Sequence, residues 1–138
     1  MHLNYAAIIL ATILQFIVGA VWYSALFGKL WGKIHGFDKL PKEVQQKMMK
    51  AMGPFYALQA LITLITTFVL ALFIAYLPDW NAYAMAGFFW IGFVVPTQIS
   101  AVIFGGTEKK WIVKKIAVQA GASIVCLEVA AAVLHLWA

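Results

Sequence analysis

The chain has 138 residues, of which 64% are hydrophobic and only 11% charged. Soluble domains average about 25% charged residues, so a soluble fold of this size lacks the polar surface to cover so apolar a core. Disorder needs the opposite composition, and a single cysteine excludes a disulfide scaffold or a multi-Cys metal site.

A membrane-crossing helix needs roughly 20 apolar residues. Four stretches qualify. The first runs from Tyr5 to Phe27, broken by Thr12, Gln15 and Ser24. The second runs from Phe55 to Leu77 with Gln59 and three Thr, and the third from Ala82 to Phe104 with Pro96, Thr97, Gln98 and Ser100. The fourth runs from Ile116 to Ala138 with Gln119, Ser123, Glu128 and His135. Strands of a β-barrel would be about ten residues long with alternating polarity; these runs are continuous. A signal peptide is disfavoured for the first stretch, because no Lys or Arg precedes it and its apolar run exceeds the 7–15 residues of such segments. The expected fold is an all-α bundle of four transmembrane helices in a single domain, residues 1–138.

Loop charge orients it. Residues 28–53 carry six Lys against Asp38 and Glu43, and residues 105–115 carry four Lys against Glu108. The 78–81 turn carries only Asp79. Lysine-rich loops stay in the cytoplasm, which puts both termini outside. Trp22, Tyr23, Trp31 and Trp111 then mark the inner interface, and Tyr5, Tyr76, Trp80, Tyr83 and Trp137 the outer one. Trp90 falls deep in the third span, where its indole N–H needs a partner. The basic balance does not imply nucleic acid: there is no Arg, and the Lys sit in two short membrane loops. Attraction to anionic lipid at the cytoplasmic face is the simpler role.

Between the first two spans, residues 41–52 read as a short cytoplasmic helix with Pro41 in its first turn. Leu40, Val44, Met48 and Met52 make one apolar stripe, and Glu43–Lys47 is a favourable pair on another face. Such a helix lies on the inner leaflet, caps the bundle or docks a partner. Gly28, Gly32 and Gly36 before it suggest a flexible, turning exit from the first span.

Glu128 is the only acid in any span, and an ionisable group there is a functional candidate by default. Ala117, Gly121, Ile124, Ala131, Ala132 and His135 share its helix face. Two readings stand: a proton or cation site with His135 as relay, or a hydrogen-bonded tie within the bundle or between subunits. Gln15, Gln59, Gln98 and Gln119 lie one in each span. Buried amides need partners, so they serve as interhelical glue or line a polar cavity opening near Pro96. No HExxH, P-loop or GxGxxG pattern occurs. Cys126 reads as a small core residue, and the three His fall at different depths or sides, so no metal site, no cofactor and no catalytic residues are expected.

Asn4, Gly19, Trp22-Tyr23-Ser24, Phe27-Gly28 and Trp31 form the pattern Gly-x-x-Trp-Tyr-Ser-x-x-Phe-Gly-x-x-Trp. This resembles the opening signature of the small bacterial membrane proteins of domain-of-unknown-function family 1761. The resemblance implies a bacterial inner-membrane location and no assigned activity, and it marks those eight residues as a possible site. The expected function is non-enzymatic and works through assembly, as a homo-oligomer or as an accessory subunit of a membrane complex. The alternative is a small oligomeric proton-coupled transporter or channel using Glu128 and the intramembrane glutamines.

Overall fold

The computed structural model describes residues 2–137. It contains seven α-helices and, among these residues, no strand. They are α1 (Tyr5–Val21), α2 (Gly28–Ile34), α3 (Lys42–Ala51), α4 (Gly53–Tyr76), α5 (Ala82–Phe89), α6 (Val95–Phe104) and α7 (Ile112–Leu136). A π-helical turn, Trp22–Leu26, extends α1, and another, Trp90–Val94, joins α5 to α6. Four helical segments are long and apolar enough to cross a membrane: Tyr5–Leu26, Gly53–Tyr76, Ala82–Phe104 and Lys109–Leu136.

Side chains set the helix ends. Asn4 and Asn81 cap α1 and α5 by accepting from the backbone N–H groups of Ala7 and Ala84. Pro54 begins α4 in its first turn, where its missing N–H costs nothing. Threonines are tolerated in the spans because each returns its hydroxyl to the carbonyl four residues back, as Thr12 does to Ile8 and Thr66 to Ile62.

The bundle is organised around α7. It packs against α1, α5 and α6, while α4 leans mainly on α1. The best-buried core lies toward the end of the bundle that holds both termini, and most of it is small. Ala7, Ile8 and Ala11 meet Leu70, Ala71, Ala82, Met85, Ala86, Leu127, Ala130 and Ala131. Lipid tails are as apolar as Leu, so close backbone approach and dispersion hold membrane helices together, and alanine permits that approach. Asn4 closes this end by donating to the Trp137 carbonyl at 2.7 Å. The packing of α6 is almost all on α7, so the third span presents Phe88, Ile91, Phe93 and Phe104 outward.

Several details depart from expectation. The exit from the first span is ordered helix: Phe27 donates to Trp22 O five residues back, and α2 follows. Gly28 fits that turn because a Cβ there would stand 3.2 Å from the Tyr23 carbonyl oxygen. The fourth helix starts before Ile116 and takes Lys114 and Lys115 into its first turn; Ala138 lies outside the described residues. The Glu43–Lys47 pair does not close, and the ion pair found among the described residues is Lys110–Glu108. The α3 helix forms as read, but Val44, Met48 and Met52 remain exposed.

The half of α7 nearer the lysine-bearing loops is gripped by two indoles. Trp22 donates to the Val118 carbonyl at 3.0 Å, and Trp90 to the Ala120 carbonyl at 2.9 Å and to Ser123 Oγ at 3.1 Å. Trp22 lies over Gly121, where a Cβ would fall 2.7 Å from its Cζ2. Gly121→Ala is therefore expected to destabilise the bundle by about 1–3 kcal/mol through overpacking. Trp22→Phe alone is expected to cost about 1 kcal/mol for the lost hydrogen bond. Because phenylalanine removes the clashing ring edge, the double variant should unfold less easily than the two losses summed. Thermal unfolding in a mild detergent measures all three, and simple additivity would show that indole and glycine do not touch.

Candidate functional site

The seam where the third span crosses α7 holds the intramembrane acid Glu128 and several other polar groups. Spans three and four run antiparallel, so their residues meet in reverse order. Near the lysine-bearing end, Gln98 Nε2 donates to the Gln119 carbonyl at 3.4 Å, and Ser123 Oγ donates to Gln98 Oε1 at 3.3 Å. Next along the seam Trp90 meets Ala120 and Ser123. Glu128 then lies against Gly87, with Oε1 3.8 Å from where a Cβ would stand. At the far end the rings of Tyr83 and His135 meet edge to face, centroids 5.8 Å apart.

Burial divides this seam. Gln98, Trp90 and Ser123 are half-buried and satisfied within the chain. The Glu128 carboxyl, also half-buried, has no hydrogen bond or ion pair among the described residues. The side-chain amide of Gln119 has none either, though its backbone carbonyl is used. The exposed His135 ring and Tyr83 extend the Glu128 side of the seam, whereas Gln119, nine residues and about 180° of helix away, faces nearly the opposite side of α7.

The four glutamines do not converge. Gln15 is buried on the opposite side of the bundle, where its Nε2 reaches Thr67 Oγ1 at 2.7 Å and ties α1 to α4. Gln59 is exposed and pairs only with Thr63 of its own helix. Gln98 and Gln119 alone share a neighbourhood. The face assigned to Glu128 also splits: Gly121 receives Trp22, Ala131 enters the core, and His135 joins the seam. Cys126 lies at the α1 contact, its Sγ 3.6 Å from the Gln15 carbonyl. No group of three or more His, Cys, Asp or Glu among the described residues is placed to hold a metal.

The signature residues of the first span from Trp22 onward build the lysine-bearing end of the bundle. Trp22 packs on Phe27 at 4.9 Å between centroids, Tyr23 on Trp31 at 4.8 Å, and Trp31 on His35 at 4.4 Å. Lys115 of α7 stands over the Trp31 ring at 5.8 Å. Ser24 returns its hydroxyl to the Ala20 carbonyl. Gly19 has open space where a Cβ would stand.

Sequence reasoning passed over Thr67, Ser123 and the pairing of Gly19-x-x-Trp22 with Gly87-x-x-Trp90. That repeated spacing precedes both π turns and was available as a signal. No curated protein and no solved structure matches the chain. Residues 6–135 match the family described as "Protein of unknown function (DUF1761)". With nearly its whole length covered by that match, and with four apolar helices to carry it, this chain belongs to the DUF1761 family of proteins of unknown function.

Proposed function

We propose that this small membrane protein acts without catalysis, by assembling through the seam between its third and fourth spans. A second copy of the chain is the first partner, and a different membrane subunit the other. The observation that carries this reading is the Glu128 carboxyl, which lies in a span at the side of the bundle with no partner among the described residues of its own chain. A polar group facing lipid is costly, and a neighbouring subunit supplies the missing hydrogen bond. Exposed His135, seven residues on along the same face of α7, and Tyr83 beside it extend the surface such a partner would cover. The protein resides in the bacterial inner membrane with both termini outside, a reading supported by the Lys-rich loops at one end of the bundle. There the exposed Val44–Met48–Met52 stripe of α3 rests on the anionic inner leaflet. Nucleic acid has no part in it.

Cross-linking in native membranes, followed by native mass spectrometry, tests the assembly. Wild-type protein is expected as an oligomer or a fixed-ratio complex. Glu128→Leu should weaken association about ten-fold, the order of one hydrogen bond in lipid, while Glu128→Gln should largely keep it. A monomer at every expression level would end the proposal.

The row Gln98–Ser123–Trp90–Glu128–His135 favours a second reading, in which an oligomer passes protons along the seam. For this reading, proton flux into liposomes should fall at least ten-fold in Glu128→Gln. Equal flux in wild type and variant removes Glu128 from any conduction path.

A further inference from the structure

A cavity of about 480 Å³ opens at the lysine-bearing end of the bundle, far from the assembly seam's Glu128. It lies between the end of α2 with its following turn and the loop joining α6 to α7. Lys33 and Lys39 line one wall, and Lys110 and Lys115 the other. Asp38 and Glu108 also border it, and Glu108 is engaged by Lys110 at 3.5 Å. Cations therefore outnumber anions around the space. Lys115 is held at the rim by the Trp31 ring. The first residues of α7 follow directly from Trp111 in the lining, so the positive end of a long helix dipole adds to the field.

One further feature lies in the same wall. Thr107 borders the cavity, and its hydroxyl, turned in from solvent, has no hydrogen-bond partner among the described residues. A buried hydroxyl without a partner is expensive, and native proteins rarely leave one. Gly106, in the left-handed region at φ +75°, turns the chain there and places no side chain at the mouth.

We propose that this cavity is a binding site for a phosphate group, with Lys33, Lys39 and Lys115 neutralising its charge and the unpartnered Thr107 hydroxyl rotating into the space to donate to one of its oxygens. Lysine ammonium groups suit phosphate as point charges. The volume lies within the range of small-molecule sites and admits a phosphoglycerol headgroup as well as a free phosphate. Position at the membrane surface makes both sources available.

The test uses the whole protein in two arms. In the first, nanodiscs of phosphatidylcholine with and without phosphatidylglycerol are stripped progressively, and native mass spectrometry counts retained phosphatidylglycerol. In the second, inorganic phosphate is titrated calorimetrically into protein in a neutral detergent. Each arm compares wild type, Thr107→Val, the double variant Lys33→Gln/Lys115→Gln, and a double variant Lys47→Gln/Lys50→Gln that removes equal charge from α3. Thr107→Val should weaken binding about ten-fold and Lys33→Gln/Lys115→Gln about ten-fold or more, with the α3 variant within about two-fold of wild type. Retention of phosphatidylglycerol without phosphate binding assigns the site to a lipid headgroup. Phosphate binding with the same variant pattern assigns it to a free phosphate. Absence of both, or equal losses in the cavity and α3 variants, overturns the proposal. Should the lysine variant fail to fold, the near-isosteric Thr107→Val decides by itself. Assembly is read from particle mass in the same spectra, so a failure of one proposal is seen apart from a failure of the other.

Discussion

An indole N–H inside a membrane must find an acceptor, because lipid offers none. Two of them organise this protein. Trp22 and Trp90 donate to the carbonyls of Val118 and Ala120, two residues apart on α7. Two residues turn an α-helix by about 200°, so these acceptors lie on nearly opposite sides of it. The first and third spans therefore grip the fourth at one level from two directions. Each grip coincides with a π turn beginning at the tryptophan itself. A π turn widens the helix locally and is often found at functional sites. Here it also precedes Gly28 in one case and Pro96 in the other, residues that suit a break in regular helix.

That grip divides the bundle into two kinds of interior. On the side of the indoles toward the termini the packing is alanine-rich, crossed by the buried Gln15–Thr67 tie, and it is closed by Asn4 on the Trp137 carbonyl. Nearer the lysine loops the contacts are polar or aromatic: Gln98 with Ser123, Tyr23 with Trp31, Lys115 with Trp31. The family signature belongs to this second region. Its tryptophans and Phe27 act there as packing surfaces and a hydrogen-bond donor. Much of what it specifies is the way the first span leaves the membrane.

The four spans were legible in the sequence because lipid imposes length and apolarity on each span separately, with no knowledge of its neighbours. The need of Trp90 for a partner was legible for the same reason; the identity of that partner was not. Which polar groups meet depends on how helices are ordered around α7, and spacing gives only depth and azimuth. Thus the glutamines of similar depth parted: Gln59 stayed on its own helix while Gln98 joined the fourth span. Gln15 found Thr67, a residue with no feature in the sequence to distinguish it from Thr66 beside it. The ordered α2 was hidden by its glycines, which weaken helices in water. In the fold, stacking of Trp31 on Tyr23 and His35 holds that segment.

The side of α7 that the indoles do not satisfy would set the energetics of the proposed assembly. Gly87 lets Glu128 lie close to α5, yet offers its carboxyl no donor, since glycine has no side chain and its N–H sits within the helix. Placing an acidic group near the centre of a span costs up to about 3 kcal/mol in insertion measurements, less toward the interface. Dispersion and alanine packing elsewhere in the bundle must carry that cost in a lone chain. Covering the carboxyl with a donor from a second subunit recovers part of it, and a single intramembrane hydrogen bond contributes about 1 kcal/mol. That one term is modest beside the cost. The proposed assembly would therefore need more of this face than the acid alone, out to the exposed Tyr83–His135 pair. Glu128 is the costliest group on that face, and the proposed interface is centred on it for that reason.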